Sequence, residues 1–418
     1  MKAIINIKQL LVTGDYSHPL KGKEMGQMSY VSNAYLLIEE GKIAAYGPMD
    51  NYPHPDAEVF DAKNRIVLPS WCDSHTHLVF AQGREDEFVD RIKGLSYEQI
   101  AARGGGILNS AERLRKLSEN ELFEDALLRL NELIVLGTGA IEIKSGYGLT
   151  LADEEKMLRV IKRLKAKVNI PIKATLLAAH ALPVAYESNK KGYIDLIIDQ
   201  MIPQFTKEGL VDFIDVFCEK GYFSVSEMNR ILEAGAQYGL PPKVHVNQFN
   251  AIGGVSAAVA HKALSVDHLE VLNNEDIRAL QKSTTIATAL PSCSFFLGIP
   301  YTPVRELINA HVPIALATDY NPGSSPNGNM NFVVSQGCIN LKMTPEEALQ
   351  AATINGAFAI GVADQVGSIS IGKRANILIT TPLKSYNAIP YHFAQSSIDE
   401  VWINGNSPTQ KTSNVTKF

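Results

Sequence analysis

From about residue 65 onward the chain alternates short β-branched runs with longer helical patterns, and this alternation constrains the fold more than any other feature. Such an order makes βα units whose strands lie parallel in one sheet. Eight runs can be counted: Ile66-Val-Leu-Pro, Gly139-Ala-Ile-Glu-Ile-Lys, Ile172-Lys-Ala-Thr-Leu-Leu, Phe213-Ile-Asp-Val-Phe, Lys243-Val-His-Val, Leu264-Ser-Val-Asp, Thr285-Ile-Ala-Thr-Ala-Leu and Pro313-Ile-Ala-Leu-Ala-Thr. Helix start signals lie between and after them. Ser96-Tyr-Glu-Gln99 and Ser224-Val-Ser-Glu227 are capping boxes, and Thr344-Pro-Glu-Glu347 adds a proline at the first helical position. First run to last spans about 250 residues, the usual length of a (β/α)8 barrel. Residues 66–365 are therefore expected to form an α/β, TIM-like barrel that carries the chemistry.

The flanks read differently. Ala34-Tyr-Leu-Leu-Ile-Glu-Glu-Gly-Lys-Ile-Ala-Ala-Tyr-Gly is two strand-like runs joined by a Glu-Gly turn, and the tail offers Asn376-Ile-Leu-Ile-Thr and Val401-Trp-Ile-Asn-Gly. The economical arrangement is a small β-sandwich built from residues 1–65 and 366–418, with the barrel inserted between.

Composition then excludes several classes of partner. A formal net charge of -5 leaves no basic surface on the scale that phosphate-backbone binding needs, so nucleic acid is not expected. The N-terminal MKAIINIKQLLVTGDYS has too short an apolar stretch for a signal peptide, and no run of about 18 apolar residues occurs, so no membrane segment is expected. Cys72, Cys218, Cys293 and Cys338 are far apart, with no zinc-thiolate spacing, and read as buried free thiols in a reducing cytoplasm.

In a barrel of this kind chemistry sits at the C-terminal ends of the strands. The first run leads to His75 and His77, which alternate with Thr76 and so point the same way on an extended chain. The third run ends in His180, the fifth carries His245 and Gln248, the sixth ends in Asp267-His268, and the eighth ends in Thr318-Asp319-Tyr-Asn321-Pro-Gly-Ser. A strand-end histidine alone is more often a hydrogen-bonded residue than a ligand. Their coincidence matters more. Three imidazoles and a carboxylate (His75, His77, His245 and Asp319) suit one borderline divalent ion such as zinc or iron, with a position left for water. His18, His54, His261, His311 and His392 fall outside the expected strand ends.

The pattern His-x-His after strand 1, His after strands 5 and 6 and Asp after strand 8 resembles the amidohydrolase superfamily. CDSHTHLVFAQGREDEF, GGGIL, EIKSGYGL, AAHALP, DVFCEKGYF, SVDHLE, ALATDYNPGSSP and the later Met343-Thr-Pro-Glu-Glu-Ala together resemble its imidazolonepropionase family, over nearly the whole chain. The resemblance implies an amidohydrolase-type barrel and hydrolysis of the ring of 4-imidazolone-5-propanoate to N-formimidoyl-L-glutamate. It implies one metal ion, Zn2+ or Fe2+/Fe3+, a small-molecule substrate and a homodimer. Such an ion lowers the pKa of its water from about 15.7 toward about 7. Asp319 is then the natural proton acceptor, and it or His268 would protonate the departing ring nitrogen. The substrate's propionate calls for a cation near the mouth, and Arg84 can grip a carboxylate with its fork. By the same resemblance Tyr97, Tyr147 and His180 contact substrate, while Asn321, Gly323 and Ser324 shape the pocket.

Two positions depart from relatives. Gln248 stands where some have glutamate, and an amide can orient substrate but cannot act as a base. Asn376 replaces an aspartate common in the returning strand and reads as a matter of stability. Gly104-Gly105-Gly106 lacks the sequel of a phosphate cradle and reads as a lid. Lys144 and Lys173 raise the carbamylated lysine of two-metal relatives; Lys173 lies at the wrong end of its strand, and Lys144 precedes a one-metal motif. A deaminase or another cyclic amidase would use the same ligands. A scaffold without activity would be expected to have lost some of them.

Overall fold

A computed structural model describes residues 1–95, 99–100, 103, 105–393 and 395–407. The N-terminal strands are β1 (Lys2–Leu11), β2 (Tyr30–Glu39), β3 (Lys42–Pro48), β4 (Glu58–Asp61) and β5 (Ile66–Pro69). The next eight are β6 (Trp71–Asp73), β7 (Thr138–Lys144), β8 (Ile172–Ala179), β9 (Phe213–Cys218), β10 (Lys243–Val246), β11 (Ser265–His268), β12 (Ile286–Ala289) and β13 (Ile314–Leu316), and the tail adds β14 (Ile377–Thr380) and β15 (Ile398–Trp402).

Strands β6 to β13 form one eight-stranded sheet in sequence order, every neighbouring pair parallel. A parallel bridge between Thr76 and Tyr320, with His77 N donating to Tyr320 O at 2.8 Å and Asp319 N to His75 O at 3.0 Å, ties the two ends together. The expected (β/α)8 barrel is what the chain forms. Its strands are buried almost throughout, the half-buried Lys173 of β8 excepted, as the seven residues of β7 and the six of β9 illustrate, because helices cover the outside and side chains fill the inside.

One strand differs from the sequence reading. Ile66–Pro69 pairs with β1 and β14 in the terminal sheet, and the first barrel strand is the three-residue β6 beyond it. Both are apolar runs, and only the switch of partner at Pro69-Ser70 separates them; Ser70 N still bonds Asn376 O at 2.9 Å while Trp71 N turns to Gly137 O at 3.0 Å.

The termini supply a seven-stranded sheet, in which β1 pairs with β2 on one edge and with β4 and then β5 on the other. Side chains from these strands, among them Ile4, Ile7, Leu36, Ile43, Val67, Ile377 and Trp402, pack into a core of their own. The Glu40-Gly41 turn between β2 and β3 has φ of 49° and 77°, the left-handed pair of a tight hairpin. Asn376 joins the two units: its Nδ2 donates to Gly139 O of β7 at 3.0 Å, and its Oδ1 accepts from Asn404 N at 2.8 Å.

The capping boxes at Ser224 and Thr344 are formed. That at Ser96 lies outside the described residues, as do Tyr97 and Gly104. Gly105 and Gly106 open the helix Gly106–Lys116. Among the described residues no helix is long and apolar enough to cross a membrane.

Candidate active site

The strand ends converge as the βα pattern requires. The Thr76–Tyr320 bridge keeps residues 75–77 extended, so both imidazoles point inward, and His245 lies within β10. His268 closes β11 and Asp319 lies three residues beyond β13, with left-handed φ of 86° and 53°. Backbone strain of this kind costs about 1–3 kcal/mol per residue and persists where surrounding contacts impose it.

His245 Nε2 lies 3.3 Å from His77 Nε2, and Asp319 Oδ1 lies 3.5 Å from Nε2 of both His75 and His77. Behind them His75 Nδ1 donates to Asp267 Oδ2 and His245 Nδ1 to Asp215 Oδ2, each at 2.7 Å. An imidazole that donates from Nδ1 presents a lone pair at Nε2, so the outer carboxylates fix the tautomer a metal needs. His75 Nε2 is buried without a hydrogen-bond partner among the described residues. Ligand atoms placed tetrahedrally on an ion at about 2.0–2.2 Å lie about 3.3–3.6 Å apart, which is the spacing seen. Burial first, and then neighbouring cationic and imidazole groups, hold His75, His77 and His245 well below the usual histidine pKa, so all three are neutral bases. These residues fit a metal ion. His268 joins the cluster, offering a ligand atom within 4.8 Å of those of His75 and His245.

A fully buried charge network supports the outer carboxylates. Lys144 Nζ lies 2.9 Å from both Glu142 Oε1 and Asp215 Oδ2 and 3.7 Å from Asp267 Oδ2. Lys243 Nζ adds contacts to Glu142 Oε2 at 3.4 Å and Asp267 Oδ2 at 3.8 Å. Lys144 is thus an ion-paired cation whose pKa is raised, since the surrounding acids outweigh the burial that would lower it; it is no candidate for carbamylation. Lys173 sits near the start of β8, paired with Asp212 at 3.2 Å.

One pocket opens above the cluster; its lining includes His77, Arg84, Tyr147, His180, His245, Gln248, His268, Asp319, Asn321 and Ser324, all picked out from the sequence, and Ile107, Phe217, Tyr222, Phe249 and Leu297, which were not. Arg84 is 6% exposed, and among the described residues its Nε and Nη1 are buried without a hydrogen-bond acceptor and its one ion pair, to Glu87 Oε2, is long at 3.6 Å. Gly323 lines no part of the pocket and instead makes room for that guanidinium: a Cβ there would sit 1.2 Å from Arg84 Nη2. Asn321 folds the loop around itself. Its Oδ1 accepts from Gly323 N at 2.8 Å and Ser324 N at 2.7 Å, and its Nδ2 donates to Asp319 O at 2.6 Å.

On the opposite side His180 Nδ1 donates to Gly146 O at 3.0 Å, which leaves Nε2 as an acceptor; burial lowers its pKa to about 4, so the ring is neutral. The buried Glu154 carboxylate holds this loop, accepting from Gly146 N at 3.1 Å and from Gly148 N and Leu149 N at 2.8 Å. Tyr147 projects from it into the pocket. Gly146 has φ of 110°, and a Cβ there would lie 2.9 Å from His180 Nδ1. Gln248 Nε2 donates to Cys293 Sγ at 3.5 Å.

Burial lifts the Asp319 carboxyl to about 6 against the pull of His268. For His268 burial works downward, but Glu270, whose Oε1 is 3.3 Å from Nδ1, outweighs it and the net shift is upward. Both shifts favour the protonated form, and a carboxylate and an imidazole side by side are the pair that general acid–base chemistry needs. Asp267 was placed at a strand end beside His268 but given no role; Asp215, Glu142, Glu154 and Glu270 were not singled out from the sequence. The available signal was a charge inside a buried strand, as in Phe-Ile-Asp-Val-Phe and Ala-Ile-Glu-Ile-Lys.

Residues 66–407 match the model of the amidohydrolase family. An imidazolonepropionase of Flavobacterium johnsoniae is 56% identical over 404 residues, covering 96% of this chain and 98% of that one. One of Flavobacterium psychrophilum is 57% identical with the same coverage. Among solved structures, 5-methylcytosine deaminase from Klebsiella pneumoniae superposes over both full chains with a TM-score of 0.74 at 18% identity. E. coli guanine deaminase covers 97% of this chain and 98% of its own, with a TM-score of 0.73 at 15% identity. Those two share the fold. Near-complete coverage at more than half identity, together with the strand-end ligands and the arginine-bearing pocket, shows that the chain belongs to the imidazolonepropionase family of the amidohydrolase superfamily.

Proposed function

We propose that the pocket opens the ring of 4-imidazolone-5-propanoate, adding water across the cyclic amide C–N bond to give N-formimidoyl-L-glutamate. The observation that carries this reading is Arg84, a buried guanidinium with donors to spare at the edge of the pocket that holds the histidine cluster. A small acid with a carboxylate tail fits that arrangement better than a neutral purine or pyrimidine ring, because an uncompensated buried guanidinium is costly and a carboxylate satisfies it.

The reading gives each residue a task. Arg84 grips the propionate. His180, with Nε2 free to accept, orients the ring through an N–H, and Tyr147 and Gln248 bound the remaining face. His75, His77, His245 and Asp319 would hold one zinc or iron ion, which supplies polarisation of the ring carbonyl and acidification of water. Asp319 takes a proton from the attacking water. His268, kept protonated by Glu270, donates to the ring nitrogen as its bond to the carbonyl carbon breaks, and Asp319 returns the water's proton to restore the pair. The reading extends to a homodimer, by analogy with the family, and to a cytoplasmic address, supported by four cysteines none of which is in a disulfide.

The test is a side-by-side assay of freshly generated 4-imidazolone-5-propanoate against guanine and cytosine. Ring opening of the first alone is expected; deamination of a base with the imidazolone left intact would replace this reading with the deaminase alternative.

A further inference from the structure

Beside the histidine cluster lies a second group of donors that the reaction does not require as ligands. His268 from the end of β11, Glu270 two residues on, and Cys293 of the helix Pro291–Leu297 each offer a ligand atom, all within 4.8 Å of one another, and all three are buried. Two observations separate this trio from an ordinary hydrogen-bonded pair. His268 Nδ1 and Glu270 Oε1 stand 3.3 Å apart, beyond the usual 2.7–3.2 Å of an N–H···O bond and close to the tetrahedral edge about an ion at about 2.0–2.1 Å. Glu270 Oε2 is buried with no hydrogen-bond partner among the described residues, a lone pair left unused.

We propose that His268, Glu270 and Cys293 form an inhibitory site for a thiophilic divalent cation, distinct from the site at His75, His77, His245 and Asp319. Imidazole, carboxylate and thiolate together select soft and borderline ions such as Cd2+ or excess Zn2+ over Mg2+ or Ca2+. Binding replaces the Cys293 S–H bond by a sulfur–metal bond and displaces the His268 Nδ1 proton, both protons passing to solvent, with no change of oxidation state. The ion takes the Nδ1 lone pair of His268 and the carboxylate that orients it, so the ring can no longer deliver a proton, and activity falls while the first site stays filled.

The test uses the purified zinc-loaded enzyme dialysed against excess Cd2+, with both metals counted in the same sample. One additional Cd2+ per chain is expected with zinc retained, together with an ultraviolet thiolate-to-metal charge-transfer band and inhibition reversed by a chelator. Cys293→Ser should lose the band and the extra ion and require at least about tenfold more Cd2+ for half-inhibition relative to its own uninhibited rate, the effect of about 1.4 kcal/mol of lost binding. Glu270→Gln is the second variant should the serine protein fail to fold, and weaker binding is expected there too. Wild-type protein that takes up no further ion, Cd2+ that merely displaces zinc one for one, or a variant with unaltered uptake would each overturn the proposal. Ion count and absorbance are read without substrate, so they stand apart from the assignment of the reaction.

Discussion

At the scale of single residues, the outer carboxylates decide whether the histidines are ligands. Asp267 holds His75 and Asp215 holds His245, each by a 2.7 Å bond to Nδ1. Removing such an outer partner costs about 10–100-fold in metal affinity. Asp267→Asn is therefore expected to weaken zinc binding by that factor in competition with a chromophoric chelator; unchanged affinity in the folded variant would mean that the tautomer is set some other way. Arg84 acts on substrate alone. A hydrogen bond to a charged group contributes about 1.5–3 kcal/mol, so Arg84→Ala should raise KM about 10–100-fold with kcat changed little, because the grip holds ground state and transition state alike. Steady-state kinetics on the two proteins check this, and an equal KM would remove Arg84 from the site.

At the scale of elements, the loops after the strands are held by buried side chains that never reach the pocket. The Glu154 carboxylate accepts three backbone N–H groups of the loop bearing Tyr147 and fixing His180. Glu154→Gln keeps an acceptor but turns an NH2 toward one of those donors. A loss of about 1–3 kcal/mol in substrate binding is expected, seen as a higher KM with metal content unaltered; a fall in metal content with KM preserved would contradict it. His75 and His77 were legible in the sequence because an extended chain alternates its faces, and His245, His268 and Asp319 because barrel chemistry gathers at strand ends. The acids beneath them were not. A charge in a buried strand finds its partner on another strand, here Lys144 of β7 against Asp215 of β9, and that pairing has no local signature. Ile66–Pro69 pairs elsewhere than expected for a related reason: β-branched apolar composition suits either sheet, and only the switch of partner at Pro69-Ser70 separates it from the barrel strand that follows. Gly323 was expected to help shape the pocket, and the way it can do so, by leaving space for the Arg84 guanidinium, has no local signature in the sequence.

At the scale of the whole molecule, the terminal sheet carries none of the candidate site residues and meets the barrel at Asn376, which bridges Gly139 O and Asn404 N. Asn376→Ala would leave these groups unsatisfied and should lower stability by about 1–3 kcal/mol in urea unfolding, with KM and kcat retained; altered kinetics would tie the sheet to the chemistry. The central claim is that the strand-end cluster works as one metal site that opens the imidazolone ring. The most direct measurement is therefore a titration of metal-stripped protein with zinc or iron, following bound metal and N-formimidoyl-L-glutamate formation together. Activity should rise in proportion to bound metal up to one ion per chain, with His245→Ala neither filling that site nor turning over. Ring opening at full rate in the stripped protein, or a break in the curve only at two ions per chain, would contradict the account.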